Sequence, residues 1–304
     1  MEIKRIGFVG LGLMGSGMTK NLLSAGFSVI GHDLDQGKVD ALVNIGGRKV
    51  DSPDRIPALV DVIILSLPNS QVVNEVVRDS LRLYETGRKG LVLIDTTTAD
   101  PILSEELATL LREKGIEMLD ATLSGTSKMC AEGDITVMAG GKEEIFKKCG
   151  PIFSAIGKSA FYMGKNGTGA LTKLIVNLVL GLHRMVLAEG LTLAKKAGMD
   201  LCKTLEVLKD SAAYSKAMDQ KGRKMIEQDF LSPEGKLAFH LKDVRLMLDL
   251  GHRVNAPLLL SSLHAQALRS EIAKGRGEYD VSDIISFYDD LSGSSKQIRE
   301  GGER

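Results

Sequence analysis

The feature that most constrains this chain is a glycine triad at fixed spacing, Gly10-Leu11-Gly12-Leu13-Met14-Gly15. It follows the apolar run Ile6–Val9 directly and opens a stretch, Met14–Ala25, that reads as a helix with Met18, Leu22 and Leu23 on one face. Each glycine has its own reason. Gly10 permits a tight turn, Gly12 lets the backbone approach a pyrophosphate, and Gly15 allows close packing of helix on strand. The anion then sits on the helix N-terminus, where free N–H groups and the helix dipole favour it. A glycine turn that binds nothing shows the same spacing, so the context decides. Here Asp33 closes the second strand-like segment, Phe27–Asp33, at the distance a dinucleotide fingerprint requires. A carboxylate there accepts from the ribose 2′-hydroxyl and repels a 2′-phosphate, and Leu34, Asp35 and Gln36 follow with no arginine. NAD is therefore favoured over NADP.

The segments after the loop keep alternating. Val62–Leu67, Leu91–Asp95, Glu117–Ala121 and Ile135–Ala139 read as strands, and Glu105–Lys114 as a helix between two of them. Uncharged runs such as VIILSL suit strands buried on both faces of a mainly parallel sheet. The pattern predicts an α/β fold in which a Rossmann-type domain, residues 1–164, precedes an all-helical domain, residues 165–304. The break falls at the glycine-rich Gly164–Gly169. Beyond it Ala170–Ala197 reads as one long helix ended by Gly198, followed by helices near Leu201–Asp210, Lys216–Glu227, Lys236–Leu250 and Pro257–Lys274. A mobile tail is expected from Ser292.

At 304 residues, with 43% hydrophobic and 26% charged residues, the chain has the balance of a globular protein with a substantial core. Its 39 basic and 39 acidic side chains cancel, which speaks against a broad nucleic-acid or membrane surface. Leu174–Leu182, the most apolar stretch, is short for a bilayer span and is flanked by Lys173, His183 and Arg184. Cys130, Cys149 and Cys202 form no disulfide or metal-ligand spacing. His183 lies on the long helix with no carboxylate or Cys at ligand or triad spacing; for it and for His32, His240, His252 and His264 core packing or a solvated surface is the better reading, and no metal is assigned. The expectation is a soluble, uncleaved, cytoplasmic protein.

Two clusters carry chemistry. Lys173 and Asn177 stand four residues apart on one face of the long helix, amid Leu171, Leu174, Ile175, Val176, Leu178 and Val179. Such a lysine either snorkels at a helix start or is held for proton transfer. In Leu119–Ser127, a strand runs into Ser124-Gly125-Thr126, whose hydroxyls and N–H groups suit a carboxylate or simply make a turn.

Taken together, FVGLGLMGSGM, SLPNSQVVNEVV, IDTTTADP, LDATLSGTSKMCAEGDITVMAGG, GTGALTKLIVNL and HLKDVRLMLDLG resemble the β-hydroxyacid dehydrogenase family over nearly the whole chain. The resemblance implies a small 3-hydroxy acid oxidised to its semialdehyde, or the reverse. Lys173 would be the acid/base, with Asn177 holding the substrate and Ser124, Gly125 and Thr126 its carboxylate. Leu67, Pro68 and Thr98 would line the cofactor site, and Lys242 would close over the nicotinamide end. It also implies a site in the cleft between domains and a homodimer or homotetramer. Thr126 stands where the family commonly has glycine, adding a methyl and a hydroxyl beside the carboxylate site. Thr122, Leu123, Thr126, Tyr214 and Phe239 are candidates for reading the substrate side chain. Two other readings share this scaffold: a reductase for an imine or a non-carboxylate aldehyde, and an NAD(P)-binding protein without turnover. Lys173 speaks against the first, because relatives of that kind often replace it. Lys173, Asn177 and Lys242 together speak against the second.

Overall fold

A computed structural model describes residues 3–293, which fall into two compact units divided between Leu174 and Ile175. The unit boundary falls inside one helix, Thr168–Lys196. The tail expected to be mobile lies, from residue 294, outside the described residues.

The first unit is built on seven strands: β1 (Arg5–Val9), β2 (Ser28–His32), β3 (Val62–Leu65), β4 (Val92–Asp95), β5 (Glu117–Ser124), β6 (Thr136–Gly140) and β7 (Ser159–Gly164). They lie in the order β2-β1-β3-β4-β5-β6-β7. The first five run parallel, β6 is antiparallel to β5, and β7 is parallel to β6. Period-two alternation divides the core. Ile64 and Ile94 join Ile6, Phe8 and Met18 on one face, while Ile63, Leu65 and Leu93 join Ile56, Val77 and Leu111 on the other. Both faces are covered, which is why β3 and β4 read as uninterrupted apolar runs.

Helix α1 (Leu13–Ser24) follows β1, and α2 (Gln36–Asn44) follows β2. The alternation does not show α2, although Asp35 caps it by accepting the Gly37 N–H at 2.9 Å. The Pro101–Glu113 helix, α3, has proline at its first position and Asp100 accepting from the Ile102 N–H. Sequence patterning also passes over β7. It is an edge strand whose Phe161, Tyr162 and Met163 are exposed, so no alternation marks it.

Helix α4 (Thr168–Lys196) ends as expected at Gly198, at φ +73°, with the Met199 N–H reaching back to the Ala194 carbonyl at 3.0 Å. Among the described residues it is the one helix long and apolar enough to cross a membrane, longer than the Leu174–Leu182 run suggested. It nevertheless buries Met185, Leu187, Ala188 and Leu191 as a core helix does.

The second unit is helical. After α4 come α5 (Leu201–Asp210), α6 (Leu237–Arg253), α7 (Leu259–Glu271) and α8 (Ile284–Leu291), with shorter turns between. The Pro257–Lys274 expectation resolves into α7 and a wider helical turn, Ile272–Arg276, where Gly275 turns left-handed. Buried polar groups tie this unit together. Lys221 Nζ donates to Asp280 Oδ2 and Glu234 Oε2, each at 2.9 Å, and Glu271 accepts from Lys274 at 2.7 Å and Arg276 at 2.8 Å. Among the histidines, His240 and His264 are buried with ring centroids 5.0 Å apart, and His183 and His252 are exposed.

Candidate functional site

Strand register builds the site. Val9, Leu65, Asp95 and Asp120 are partners across β1, β3, β4 and β5. The residues that follow them therefore gather at the carboxyl edge of the sheet, where open α/β sheets bind ligands. That edge carries Gly10 to Gly15 after β1, Leu67 and Pro68 after β3, and Thr98 after β4. The Leu67 N–H donates to Thr97 Oγ1 at 3.2 Å, joining the second and third of these loops.

The three loop glycines differ as the chemistry asks. Gly10 has φ +93°, and a Cβ on it would lie 2.2 Å from the Ser66 carbonyl oxygen. A Cβ on Gly15 would lie 2.0 Å from the Gly10 carbonyl oxygen, so α1 closes directly on the loop. At Gly12, which opens α1, nothing lies within 4 Å of a Cβ. That space, at the N-terminus of a helix whose first N–H groups point outward, fits a dinucleotide pyrophosphate.

Asp33 stands one residue beyond β2. Its Oδ2 accepts the Leu11 N–H at 2.7 Å and its Oδ1 the Asp35 N–H at 2.9 Å. Burial opposes its ionisation, but the Asp35 and Leu11 hydrogen bonds outweigh this and hold its pKa below the usual carboxylate range. Lys38, which the sequence pattern does not single out, places Nζ 3.5 Å from Asp33 Oδ1. Position five after the aspartate is unremarkable in the sequence, and only the α2 turn brings the two together.

β5 runs four residues past the register line, so Ser124 stands at its far end and not in a turn. Gly125 follows, where a Cβ would lie 2.6 Å from Ile135 Cγ2. The Thr126 hydroxyl, expected beside the substrate, also caps the Ser127–Ala131 helix, accepting the Met129 N–H at 3.3 Å. Thr122 and Leu123 are both buried in the domain, and Thr122 Oγ1 donates to the Gly169 carbonyl at 2.8 Å. Tyr214 and Phe239, the other two side-chain candidates, are exposed; the Tyr214 hydroxyl pairs with Asp219, and Lys236 lies over the Phe239 ring.

Lys173 lies in the second turn of α4, half-buried, and Asn177 lies one turn on. Asn177 Nδ2 donates to Asp243 Oδ2 at 2.9 Å, leaving the amide oxygen to face other partners. Lys242, beside Asp243 on α6, has Nζ 3.2 Å from Asp243 Oδ1. Asp243 thus joins two residues that the sequence proposes separately. It lies within HLKDVRLMLDLG, and no spacing rule connects position 177 to it.

Two buried carboxylates complete this edge. Asp95 is driven by burial to a pKa of about 7, against the Thr97 N–H that donates to it at 2.9 Å. Burial also raises Asp120, whose Oδ1 accepts the Gly167 N–H at 2.8 Å and Oδ2 the Ala170 N–H at 2.9 Å. Among the described residues no group of three His, Cys, Asp or Glu side chains is placed to hold a metal ion.

Known proteins resemble this chain. Residues 5–164 match the family described as the NAD binding domain of 6-phosphogluconate dehydrogenase. Residues 167–288 match the NAD-binding domain of NADP-dependent 3-hydroxyisobutyrate dehydrogenase. A 2-(hydroxymethyl)glutarate dehydrogenase of Eubacterium barkeri is 33% identical over 291 residues, 96% of this chain and 97% of that protein. The cytokine-like nuclear factor N-PAC of Homo sapiens is 30% identical over 94% of this chain, which spans about half (51%) of that protein's length. The crystal structure of a 3-hydroxyisobutyrate dehydrogenase from Salmonella typhimurium superposes with a TM-score of 0.84 at 28% identity, covering 93% of this chain and 99% of that one. The chain belongs to the 3-hydroxyisobutyrate dehydrogenase-like branch of the β-hydroxyacid dehydrogenase family, NAD(P)-dependent oxidoreductases of CH–OH donors.

Proposed function

We propose that this protein oxidises a small 3-hydroxy acid to its semialdehyde, or runs the reverse reduction, with NAD favoured and Lys173 as general acid/base. The observation that carries the reading is the open space at Gly12, at the mouth of a glycine loop in a chain matched over 96% of its length by a 2-(hydroxymethyl)glutarate dehydrogenase. That relative's substrate and 3-hydroxyisobutyrate share the unit HOCH2–CH(R)–COO⁻. The shared unit sets what the site must do: grip a carboxylate and move one proton at a primary alcohol.

The division of labour follows from the chemistry of the side chains. Ser124 and the backbone N–H groups of Gly125 and Thr126 offer donors to the carboxylate. Asn177, with one amide N–H turned to Asp243, offers its other N–H to the substrate hydroxyl oxygen. Lys173 takes the hydroxyl proton as the C–H bond breaks and returns one in the reverse direction. The bound nicotinamide dinucleotide supplies the hydride acceptor. Asp33 would take the adenosine ribose 2′-hydroxyl, and its charge disfavours a 2′-phosphate. Leu67, Pro68 and Thr98 would line the same site from the neighbouring loops.

A second copy of the chain is the expected partner. Ile175, Val179, Val186 and Leu193 stand exposed along one face of α4 at helical spacing, an apolar stripe suited to a homodimer or homotetramer. The function is tested by NADH and NADPH appearance with purified protein and C3–C6 hydroxy acids. Turnover with a 3-hydroxy acid, faster with NAD, is expected. Turnover only with aldehydes or imines that lack a carboxylate would overturn it.

A further inference from the structure

We infer that Asp120 is a positioning residue for the proton-transfer site: its buried carboxylate fixes the first turn of the helix that carries Lys173 against the strand that ends in Ser124. This rests on the reading of Lys173 given above.

The helix start is held at every second residue of β5. Asn166 Nδ2 donates to the Met118 carbonyl at 2.8 Å, and Arg112 in turn donates to Asn166 Oδ1 at 3.0 Å. Asp120 takes the Gly167 and Ala170 N–H groups, one on each oxygen, and Thr122 Oγ1 bonds the Gly169 carbonyl. Residues 118, 120 and 122 share one face of the strand, and Ser124 is the next in that series. The backbone of α4 rests directly on this face, since a Cβ on Gly169 would lie 2.1 Å from the Asp120 carbonyl oxygen.

Lys173 follows Gly169 by four residues and so stands one turn above it. A shift of the first turn is carried to the lysine root, and a displacement of about 1 Å can cost on the order of 10²-fold in rate. Asp120 is 1% exposed with both oxygens engaged, so it works through the helix and does not touch substrate. A hydroxyl or amide cap has a single acceptor oxygen. A carboxylate offers two separate oxygens, and here each holds a different N–H, fixing direction as well as position. Burial raises its pKa, yet the chain keeps an acid at this buried position, which a merely capping role does not require.

The test uses the full chain with Asp120→Asn, which keeps one acceptor oxygen of the two. One readout is the modification rate of each lysine by trace acetic anhydride, resolved by mass spectrometry. The other is turnover with 3-hydroxyisobutyrate and 2-(hydroxymethyl)glutarate. Lys173 labelling is expected to rise about threefold or more while Lys20 and Lys38 stay at wild-type rates. The kcat is expected to fall by about 30-fold or more, with KM and NADH affinity within about threefold. Combined with Lys173→Ala, the Asp120 change is expected to add less than about threefold, because both act through one group. Wild-type labelling and kcat in folded Asp120→Asn would overturn the inference, as would losses that multiply in the double variant. Full turnover by Lys173→Ala would instead defeat the reading of Lys173. The labelling then decides by itself whether Asp120 places that side chain, as it does if neither acid is turned over. Should Asp120→Asn not fold, Thr122→Val removes the hydroxyl that donates to the Gly169 carbonyl at 2.8 Å and lies 3.4 Å from the Met138 carbonyl. About a threefold loss of kcat is expected there, and wild-type kcat and labelling would count against the inference.

Discussion

The carboxylate of Asp33 accepts the Leu11 N–H at 2.7 Å, so the residue proposed to read the cofactor's ribose also holds the glycine loop in shape. Removing its charge while keeping an acceptor separates the two jobs. Asp33→Asn is expected to lower the NAD preference, measured as the ratio of kcat/KM for NAD and NADP, by about tenfold, or roughly 1.4 kcal/mol. Asp33→Ala is expected to weaken both cofactors, since it frees the loop as well. An unchanged ratio in Asp33→Asn would assign discrimination elsewhere, with Lys38 the first candidate.

Gly12 and Gly15 are expected to fail in opposite ways. A methyl on Gly12 meets nothing within 4 Å, so Gly12→Ala should leave the thermal midpoint at the wild-type value. It should lower NADH affinity by about tenfold or more, because the methyl fills the space assigned to the pyrophosphate. A methyl on Gly15 lands 2.0 Å from a backbone oxygen, and overpacking of that kind costs about 1–3 kcal/mol in stability. Melting curves and NADH fluorescence titrations distinguish the two, and equal affinity in Gly12→Ala would move the phosphate site.

Lys173→Ala is expected to lower kcat by about 10²–10⁴, with NADH affinity kept, because it removes a proton-transfer group and nothing that shapes the glycine loop. Turnover within twofold of wild type would show that another group moves the proton.

Acid should destabilise the helical unit through His264. Burial, with the Arg184 charge adding to it, lowers this imidazole to a pKa of about 4. The unfolded chain binds its proton near 6.5, so between pH 6.5 and pH 4 the unfolded state holds more protons. Stability from this group is complete above pH 6.5 and is lost as pH falls towards 4, on the order of 3 kcal/mol in all. Asp95, raised to about 7, acts with the opposite sign over pH 4–7, so the comparison must be made between variants. Urea unfolding of wild type and His264→Gln at pH 7.5, 5.5 and 4.5 should show the gap between them narrowing as pH falls. A constant gap would remove His264 from the acid transition.

Local sequence features set the nucleotide-binding loop and the order of most of the elements: three glycines at fixed spacing, an aspartate one strand later, apolar runs of strand length, and a long helix stopped by Gly198. Steric and periodic rules read them over a few residues at a time, and the same rules placed Lys173 and Asn177 on one helix face. They could not see β7, whose exposed Phe161 and Tyr162 follow no alternation, or α2, marked only by its cap at Asp35. Nor could they show that Thr122 and Leu123 are buried, with the Thr122 hydroxyl on the Gly169 carbonyl. The tertiary structure alone decided the partnerships between distant residues: Asp33 with Leu11, Asn177 with Asp243, and Asp120 with the start of the lysine helix 47 and 50 positions away. A hydrogen bond of that kind depends on strand register and helix docking. No periodicity in a single chain encodes which buried acceptor will meet which orphan N–H.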